Sequence, residues 1–183
     1  MRVVGIQASP NKDGLTSKLV KAVLRGARGK NGETELIHLN ELSLKSCTAC
    51  DSGWGICRDE GTCVLDDGFQ GLVDKIAKCD GFVFATPVYW HDLSESAKIF
   101  LDRLRRCETG KDFQTFAGKK AIGIASAGGS GRGAVRALYN LEAYLRRLDF
   151  SILDLVPVTR FSKDHKLKML ERVGELLVET YGT

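Results

Sequence analysis

Short apolar runs alternate along the chain with segments in which apolar residues recur every three or four positions. Five of the runs are short and mostly apolar, which predicts buried strands at 3–8, 34–39, 81–85, 120–125 and 152–158. The 3.6-residue period predicts five helices, whose inner faces begin at Leu15, Phe69, Leu93, Ala134 and Leu167. Asp66 or Asp67 can cap the second of these helices.

Strict alternation of strands and helices predicts an α/β fold, with one five-stranded parallel sheet covered by helices on both faces. The sequence contains no internal repeat or linker, so we expect residues 1–183 to form a single domain. Sheets of this class bind ligands beyond the carboxyl ends of their strands. The loops that follow the first, third and fourth strands are therefore the candidate site.

The loop after the first strand, SPNKDGLTSK, combines hydroxyl side chains with one glycine ahead of a helix. It contains neither G-x-x-x-x-G-K-[ST] nor G-x-G-x-x-G, so it is neither a P-loop nor a dinucleotide fingerprint. Hydroxyls and free backbone N–H groups at a helix N-terminus can hold a phosphate group. The alternative is that these residues only turn the chain and cap the helix.

The other two loops offer different chemistry. ATPVYWHDLS places Tyr89 and Trp90 just past a buried strand, where they could stack on a planar ring or pack under the next helix. SAGGSGRGA is rich in glycine, so its backbone N–H groups can approach a ligand closely. A phosphate cradle, aromatic cover and close backbone donors together favour a phosphorylated planar cofactor, and FMN has all the matching features.

Three motifs resemble the NADPH-dependent FMN reductase family. GIQASPNKDGLTSKL resembles its G-S-P-R-x-x-G-N-T-S phosphate loop, and FATPVYWHDLSESAKIFLDRL resembles its TPVYW-x-x-x-S-x-x-x-K-x-F-x-D-R signature. GKKAIGIASAGGSGRG occupies the place of its glycine-rich flavin loop. The resemblance implies a flavodoxin-like, doubly wound sheet with strand order 2-1-3-4-5, bound FMN, and a homodimer or homotetramer.

The resemblance also implies which residues bind FMN. The phosphate would lie among Ser9, Asn11, Gly14, Leu15, Thr16 and Ser17. The ribityl chain and ring would lie beside Pro87, Val88, Tyr89 and Trp90. The polar edge of the ring would lie at Ala127, Gly128 and Gly129. Leu15 replaces an Asn of the family pattern, which removes one phosphate contact, and Gln7 replaces a Gly with little expected effect. Asp102 and Arg103 are interpreted as helix packing or subunit contact.

By this resemblance the protein is an FMN-dependent NAD(P)H oxidoreductase. A reduced nicotinamide, NADPH or NADH, would pass hydride to the flavin, which would reduce a quinone, a flavin or a similar small electron acceptor. No side-chain acid or base is needed, so no residue is assigned a catalytic role. Two alternatives stay open: an iron–sulfur flavoprotein that carries electrons, and a non-catalytic FMN-binding protein.

The insertion at 45–65 holds four of the six cysteines, spaced C-x2-C-x6-C-x5-C, at Cys47, Cys50, Cys57 and Cys63. Four thiolates suffice for a [4Fe–4S] cluster or for zinc, but zinc sites usually close with a second C-x2-C or a His pair. The iron–sulfur branch of the family has the compact pattern C-x2-C-x2-C, so the late third cysteine counts against a cluster. The favoured interpretation is a loop that shapes the flavin pocket or a subunit contact, with Trp54 as an aromatic knob.

Composition limits the remaining possibilities. The net charge of +4 is mild, and the basic stretches RLRR and LRR are interpreted as solvated helix faces, so no nucleic-acid partner is expected.

No apolar run is long enough to span a bilayer, and the chain starts directly in a predicted strand, so we expect a cytoplasmic protein without a membrane partner. Structural disulfides are then unexpected, and Cys79 and Cys107 are predicted to pack as small apolar side chains.

Overall fold

A computed structural model, which describes residues 1–179, contains the five predicted strands in one sheet. All pairings are parallel and the order is β2-β1-β3-β4-β5, which confirms the flavodoxin-like topology. The strands are β1 (Arg2–Gln7), β2 (Glu33–His38), β3 (Gly81–Pro87), β4 (Lys120–Ala127) and β5 (Ser151–Thr159). Every residue of the central β3 is buried, as expected for a strand with helices on both sides.

The helices divide between the two faces of the sheet. They are α1 (Leu15–Gly29), α2 (Phe69–Ala77), α3 (Glu95–Glu108), α4 (Ala134–Arg147) and α5 (Lys163–Val178). One apolar core lies under α1 and α5, and the other lies under α2, α3 and α4. Within residues 1–179, no helix is long and apolar enough to cross a membrane.

Most differences from the predicted boundaries lie at helix ends. Leu93 belongs to the predicted third helix face but precedes α3, because the Ser94 hydroxyl accepts the Ala97 N–H at 3.3 Å and starts the helix there. Asp67 supports the start of α2 as predicted, since its Oδ1 accepts the Phe69 N–H at 3.1 Å. β3 and β4 each run two residues beyond the predicted ends, so Pro87 pairs with Ser126 inside the sheet.

A glycine contact sets the distance between α1 and α5. A Cβ atom on Gly26 would stand 1.8 Å from the Glu171 carbonyl oxygen, and one on Gly174 would stand 2.0 Å from the Val23 carbonyl oxygen. The two helices therefore pack backbone against backbone, which requires residues without side chains at both positions.

A buried ion pair joins α3 to the start of α2. The two terminal nitrogens of the Arg103 guanidinium, Nη1 and Nη2, donate to the Asp67 carboxylate at 2.7 and 3.1 Å. The side chains of Arg103 and Asp67 are 1% and 5% exposed. Arg103 also donates to the Lys45 carbonyl at 3.0 Å and lies over the Phe69 ring at 4.2 Å. Burial alone would raise the pKa of Asp67, but the bonds from Arg103 and from two backbone N–H groups hold this pKa at about 2. The helix-packing interpretation of Arg103 is confirmed.

Candidate functional site

The three loops at the carboxyl edge of the sheet are joined through Ser126, near the end of β4. Its carbonyl accepts the Val88 N–H at 2.9 Å, which ties loop two (residues 88–94) to β4. Its hydroxyl lies 2.8 Å from the Thr16 hydroxyl, which ties β4 to the start of α1. Loop one (residues 8–14) and loop three (residues 128–133) flank these contacts, so the structure brings all three predicted loops together.

Loop one is anchored by Gln7, which is fully buried at the end of β1. The Gln7 side chain donates to the Ser9 carbonyl and accepts the Ser9 N–H, both at 2.9 Å, and its Nε2 lies 2.8 Å from His38 Nδ1. A residue expected to matter little therefore fixes the backbone of the loop. The signal in the sequence was a polar amide at the end of an apolar strand, where burial requires hydrogen-bond partners.

The N-terminus of α1 leaves hydrogen-bond donors free. Gly14 is its N-cap, no side chain caps it, and its first turn holds no acidic residue. Ser17 is fully buried, and its hydroxyl has no hydrogen-bond partner among residues 1–179. Asn11 shapes the loop ahead of the helix, since it donates its N–H to the Ser9 hydroxyl at 3.2 Å and accepts the Asp13 N–H at 3.1 Å. We call these groups the anion cradle, because hydroxyls and free N–H groups at a helix N-terminus can bind a phosphate.

Two serines at the start of α3 hold loop one against loop two. The hydroxyls of Ser94 and Ser96 donate to the Ala8 carbonyl at 2.8 and 3.0 Å. Thr86 completes this contact, because its hydroxyl accepts the Ser94 N–H at 3.1 Å. Thr86 and Ser94 of the TPVYWHDLS motif, together with Ser96, therefore have a structural role, which is to join loop one to the start of α3.

Loop two ends in a tight turn. Tyr89 and Asp92 exchange two backbone hydrogen bonds of 3.0 Å, and the residues between them, Trp90 and His91, both have positive φ angles of 47° and 67°. The turn packs on loop three, where a Cβ atom on Gly133 would lie 2.7 Å from the His91 Cα. Trp90 stands at the tip of the turn and is 96% exposed, whereas Tyr89 is less exposed and borders the edge of the sheet.

Loop three presents bare backbone. Ala127 is buried at the end of β4, and Gly128 and Gly129 after it are exposed. A Cβ atom at either glycine would meet no other atom within 4 Å, so no neighbouring residue covers the side-chain positions of this backbone. Beside Tyr89 lies a pocket of about 230 Å³, lined by Pro10, Leu39, Asn40, Ser43, Leu44, Tyr89, Ser94, Glu95, Ser96 and Ile99. The edge therefore has an open cavity beside an aromatic side chain.

The cysteines of the insertion lie elsewhere. All four line one small, apolar cavity of about 20 Å³, which we call the cysteine pocket; its lining is Cys47, Thr48, Cys50, Gly55, Ile56, Cys57, Cys63, Val64, Leu65, Arg103, Arg106 and Cys107. Three of these residues are in the last turns of α3. From Glu95 at the carboxyl edge to Arg106 the helix rises about 16 Å. None of the four cysteines lines the edge pocket beside Tyr89, whereas Leu39, Asn40, Ser43 and Leu44, which precede them in the chain, do.

Trp54 packs on its own chain at the cysteine pocket. The Arg106 guanidinium lies 4.2 Å from the centre of its ring, and Arg58 lies at 6.0 Å on the same ring. Arg106 also donates to the Gly53 carbonyl, so the segment from Asp51 to Trp54 is held against α3. Trp54 is thus occupied within its chain and does not cover the candidate flavin site.

The thiols surround a cavity and do not converge on a point. Within residues 1–179, no three Cys, His, Asp or Glu side chains are grouped as a single metal ion requires. Burial, and then the neighbouring Cys63 and Cys57, raise the pKa of Cys107 to about 12, and burial raises the pKa of Cys79 to about 11. Both are buried as predicted, and both are protonated thiols at neutral pH.

Comparison with known proteins finds relatives over most of the chain. The chain is 32% identical over 130 residues to an iron–sulfur flavoprotein of Methanocaldococcus jannaschii, which covers 70% of this chain and 65% of that protein. It is 34% identical over 137 residues to an iron–sulfur flavoprotein of Methanosarcina thermophila, covering 73% and 66%. The chain thus spans slightly less than two thirds of the length of these relatives.

Solved structures share the fold along the whole chain. An NAD(P)H:quinone oxidoreductase from Methanothermobacter marburgensis superposes with a TM-score of 0.71 at 18% identity, covering 100% of this chain and 99% of that one. The family model for NADPH-dependent FMN reductase matches residues 1–160. Because this model matches most of the chain and the sheet has the flavodoxin-like order, the chain belongs to the NADPH-dependent FMN reductase family.

Proposed function

We propose that this protein is an FMN-dependent NAD(P)H oxidoreductase that passes electrons from a nicotinamide to a quinone, a flavin or a similar small acceptor. The observation that carries the proposal is the anion cradle at α1, where the buried Ser17 hydroxyl and the uncapped helix N-terminus have no acceptor among residues 1–179. It lies at the same edge as the open backbone of Gly128 and Gly129. A phosphate and a flat, polar-edged ring joined by a short chain match these two features.

The residues at the edge fit FMN. The phosphate would accept from the hydroxyls and N–H groups of loop one and the first turn of α1, namely Ser9, Asn11, Gly14, Leu15, Thr16 and Ser17. The ribityl chain and ring would lie along Pro87, Val88 and Tyr89, with Trp90 over the mouth of the site. The backbone of Ala127, Gly128 and Gly129 would donate to the ring carbonyls. Leu15 offers only its N–H, because its side chain cannot accept or donate.

When bound, FMN supplies the redox chemistry by taking hydride from the nicotinamide and giving electrons to the acceptor. The chain contributes binding and orientation. Backbone N–H groups of loop three would stabilise negative charge at the polar edge of the ring. The Val88–Ser126 hydrogen bond holds the end of β4, from which this loop starts. His91 packs against Gly133 and holds the two loops together, so no acid or base role is assigned to it.

Stopped-flow reduction tests the activity. After reconstitution with FMN, mixing the protein anaerobically with NADPH or with NADH is expected to bleach the flavin absorbance near 450 nm in a reaction that saturates with nicotinamide concentration. Adding a quinone or free flavin should then restore the absorbance. If the protein binds FMN and neither nicotinamide reduces it at a useful rate, the protein binds flavin without this activity.

We also propose a homodimer or homotetramer in the cytoplasm, with residues 1–183 as one domain. Large side chains are exposed around loop two, loop three and the adjoining helix ends: Trp90, Val135, Tyr139 and Phe161. Such a concentration of apolar surface is typical of a protein contact. Sedimentation velocity of the FMN-loaded protein measures the assembly directly.

A second candidate function is an electron carrier with a [4Fe–4S] cluster in the cysteine pocket. It is favoured by the arrangement of the thiols, since all four cysteines of the insertion line one cavity. Four thiolates are enough to ligate such a cluster. The relatives named iron–sulfur flavoproteins add weight. A cluster needs more room than this pocket has, since its volume of about 20 Å³ is about that of one water molecule.

Cofactor analysis tests this second function. Protein purified anaerobically is expected to contain about four iron and four sulfide per chain and no stoichiometric zinc if the pocket holds a cluster. Broad absorbance should then underlie the flavin bands. The triple variant C50S/C57S/C63S should lose iron and sulfide and keep FMN, because the pocket lies away from the three loops. Iron-free wild-type protein with full flavin would leave only the first function.

A further inference from the structure

An open groove lies beside loop three, apart from the residues assigned to FMN. Its volume is about 770 Å³, and its walls include Gly133, Arg136, Tyr139, Thr159, Ser162 and Lys166. His91 of loop two and Gly131 of loop three also border it. The groove therefore begins at the proposed flavin site and extends over the first turns of α4 and α5.

Positive charge is concentrated around this groove. Residues 128–139 and 157–166 hold five Lys or Arg residues and a single Asp, so their net charge of +4 equals that of the whole chain. Two of the five cations, Arg136 and Lys166, line the groove, and the acidic residue, Asp164, does not. Such a surface attracts a ligand that carries several negative charges.

The two groove cations are available to a ligand. Within residues 1–179, neither Arg136 nor Lys166 forms an ion pair. Asp92 shares a neighbouring hollow with Arg136, but its Oδ1 accepts from the Asn140 amide at 2.8 Å. Lys166 Nζ lies 4.0 Å from the sulfur of Met169, which is a weak acceptor. The protein itself therefore neutralises neither charge.

Arg136 and Lys166 belong to different helices, so the groove holds positive charge at two places. Arg136 is on α4 and borders loop two, since it shares the hollow with Trp90 and His91. Lys166 is on α5, which follows the turn that Ser162 closes by accepting the Thr159 N–H at 3.0 Å. A ligand that binds both cations needs two separate anionic groups.

One of the two nicotinamides has this pattern of charge. NADPH carries a pyrophosphate next to its nicotinamide riboside and a second phosphate on the 2′-hydroxyl of its adenosine, whereas NADH carries only the pyrophosphate. Tyr139, which is 70% exposed in the groove wall, offers a face on which the adenine ring can stack. The charge of the groove therefore matches NADPH better than NADH.

We propose that this groove binds the phosphates of NADPH, with Arg136 at the pyrophosphate and Lys166 at the 2′-phosphate, and that Lys166 makes the protein prefer NADPH over NADH. The inference rests on the first proposed function and names the nicotinamide that it uses. Arg136 is assigned the pyrophosphate because it is the cation that borders loop two, beside the flavin site. Both residues bind the substrate and neither takes part in hydride transfer.

Lys166→Met tests the inference, because it removes the charge and keeps an apolar side chain of similar length. In stopped-flow reduction of bound FMN, the half-saturating NADPH concentration is expected to rise about 10-fold at an unchanged limiting rate. The half-saturating NADH concentration should not change. Lys166→Arg should restore most of the preference for NADPH, since it keeps the charge.

Arg136→Met should raise the half-saturating concentrations of NADPH and NADH by the same factor, because both contain the pyrophosphate. Lys168→Met is the matched control: Lys168 is exposed on the same helix, carries the same charge and does not line the groove, so neither value should change. Sedimentation velocity of Lys166→Met should match wild type. Dissociation of its assembly would assign Lys166 to a subunit contact and overturn the inference.

Calorimetric titration of the FMN-loaded protein with NADP+ and NAD+ measures binding without the reaction. Wild type is expected to bind NADP+ more tightly, and Lys166→Met should remove the difference. Equal affinity of wild type for the two nucleotides would overturn the inference, while reduction of the flavin would still support the first function. Tighter binding of NADP+ without flavin reduction by either nicotinamide would support the groove and contradict the first function.

Discussion

Replacing Ser17 with alanine is expected to weaken FMN binding roughly 10- to 100-fold, because a hydrogen bond to a charged group contributes about 1.5–3 kcal/mol. The same change should leave the protein without FMN at least as stable as wild type. Ser17 is fully buried and its hydroxyl has no partner among residues 1–179, so alanine removes a polar group that is unsatisfied until a ligand arrives. The opposite signs of the two effects separate a binding role from a folding role.

FMN titration measured by quenching of flavin fluorescence gives the first quantity, and urea unfolding of the apoprotein gives the second. Ser151→Ala is the control, since Ser151 is exposed at the start of β5 on the opposite edge of the sheet and should change neither. Unchanged FMN affinity in Ser17→Ala would show that the phosphate does not bind at the start of α1. A large loss of apoprotein stability would mean that the hydroxyl supports the fold.

The sheet was predictable because each strand and helix carries a local apolar pattern. All five strands and the inner faces of the helices follow from runs such as 81–85 and from the 3.6-residue period. The strand order, which the structure confirms, came from the resemblance to a known family. The close contact of α1 and α5 was not predictable. Gly26 and Gly174 are isolated glycines within helical patterns, and only the path of the chain shows that each faces a backbone carbonyl of the other helix.

The three loops of the candidate site could be predicted from the sequence, but the contacts that join them could not. Topology alone places loops after β1, β3 and β4 at one edge, and motifs identify their polar residues. The contacts that join the loops depend on packing: Gln7 on Ser9, and His91 on Gly133. No sequence pattern indicates either contact. The first depends on burial of the Gln7 amide, and the second depends on the positive φ angles of the turn at Trp90 and His91.

The position of the cysteine segment could not be predicted from sequence order. The segment follows β2, whose end lies at the carboxyl edge, and this order favours a loop beside the flavin or at a subunit contact. The Asp67–Arg103 pair instead anchors the end of the segment partway down α3, and the thiols line the last turns of that helix. A contact between residues 36 positions apart, with no local signal, decides which end of the domain the thiols occupy.

Asp67→Asn is expected to destabilise the protein by about 3–5 kcal/mol, because it leaves the Arg103 guanidinium buried without its counter-charge. Urea unfolding at pH 7 measures the change in the free energy of unfolding. Asp66→Asn is the control: Asp66 is adjacent and exposed, and its carboxylate has no hydrogen bond or ion pair within residues 1–179. Its change should therefore stay within about 0.5 kcal/mol. A similar small change in Asp67→Asn would mean that the pair contributes little beyond packing.

The same carboxylate makes the stability depend on pH. Its pKa is about 2 in the folded protein and 3.8 ordinarily, so the folded state binds the proton less tightly than the unfolded state. The stabilisation, about 2 kcal/mol, is therefore fully present above pH 3.8 and is lost as the pH falls toward 2. Unfolding free energies of wild type and Asp67→Asn, measured from pH 6 down to pH 2.5, should converge across this window. If the two curves of unfolding free energy against pH stayed parallel, the pKa of Asp67 would be the same in the folded and unfolded states. Arg103 would then not lower this pKa.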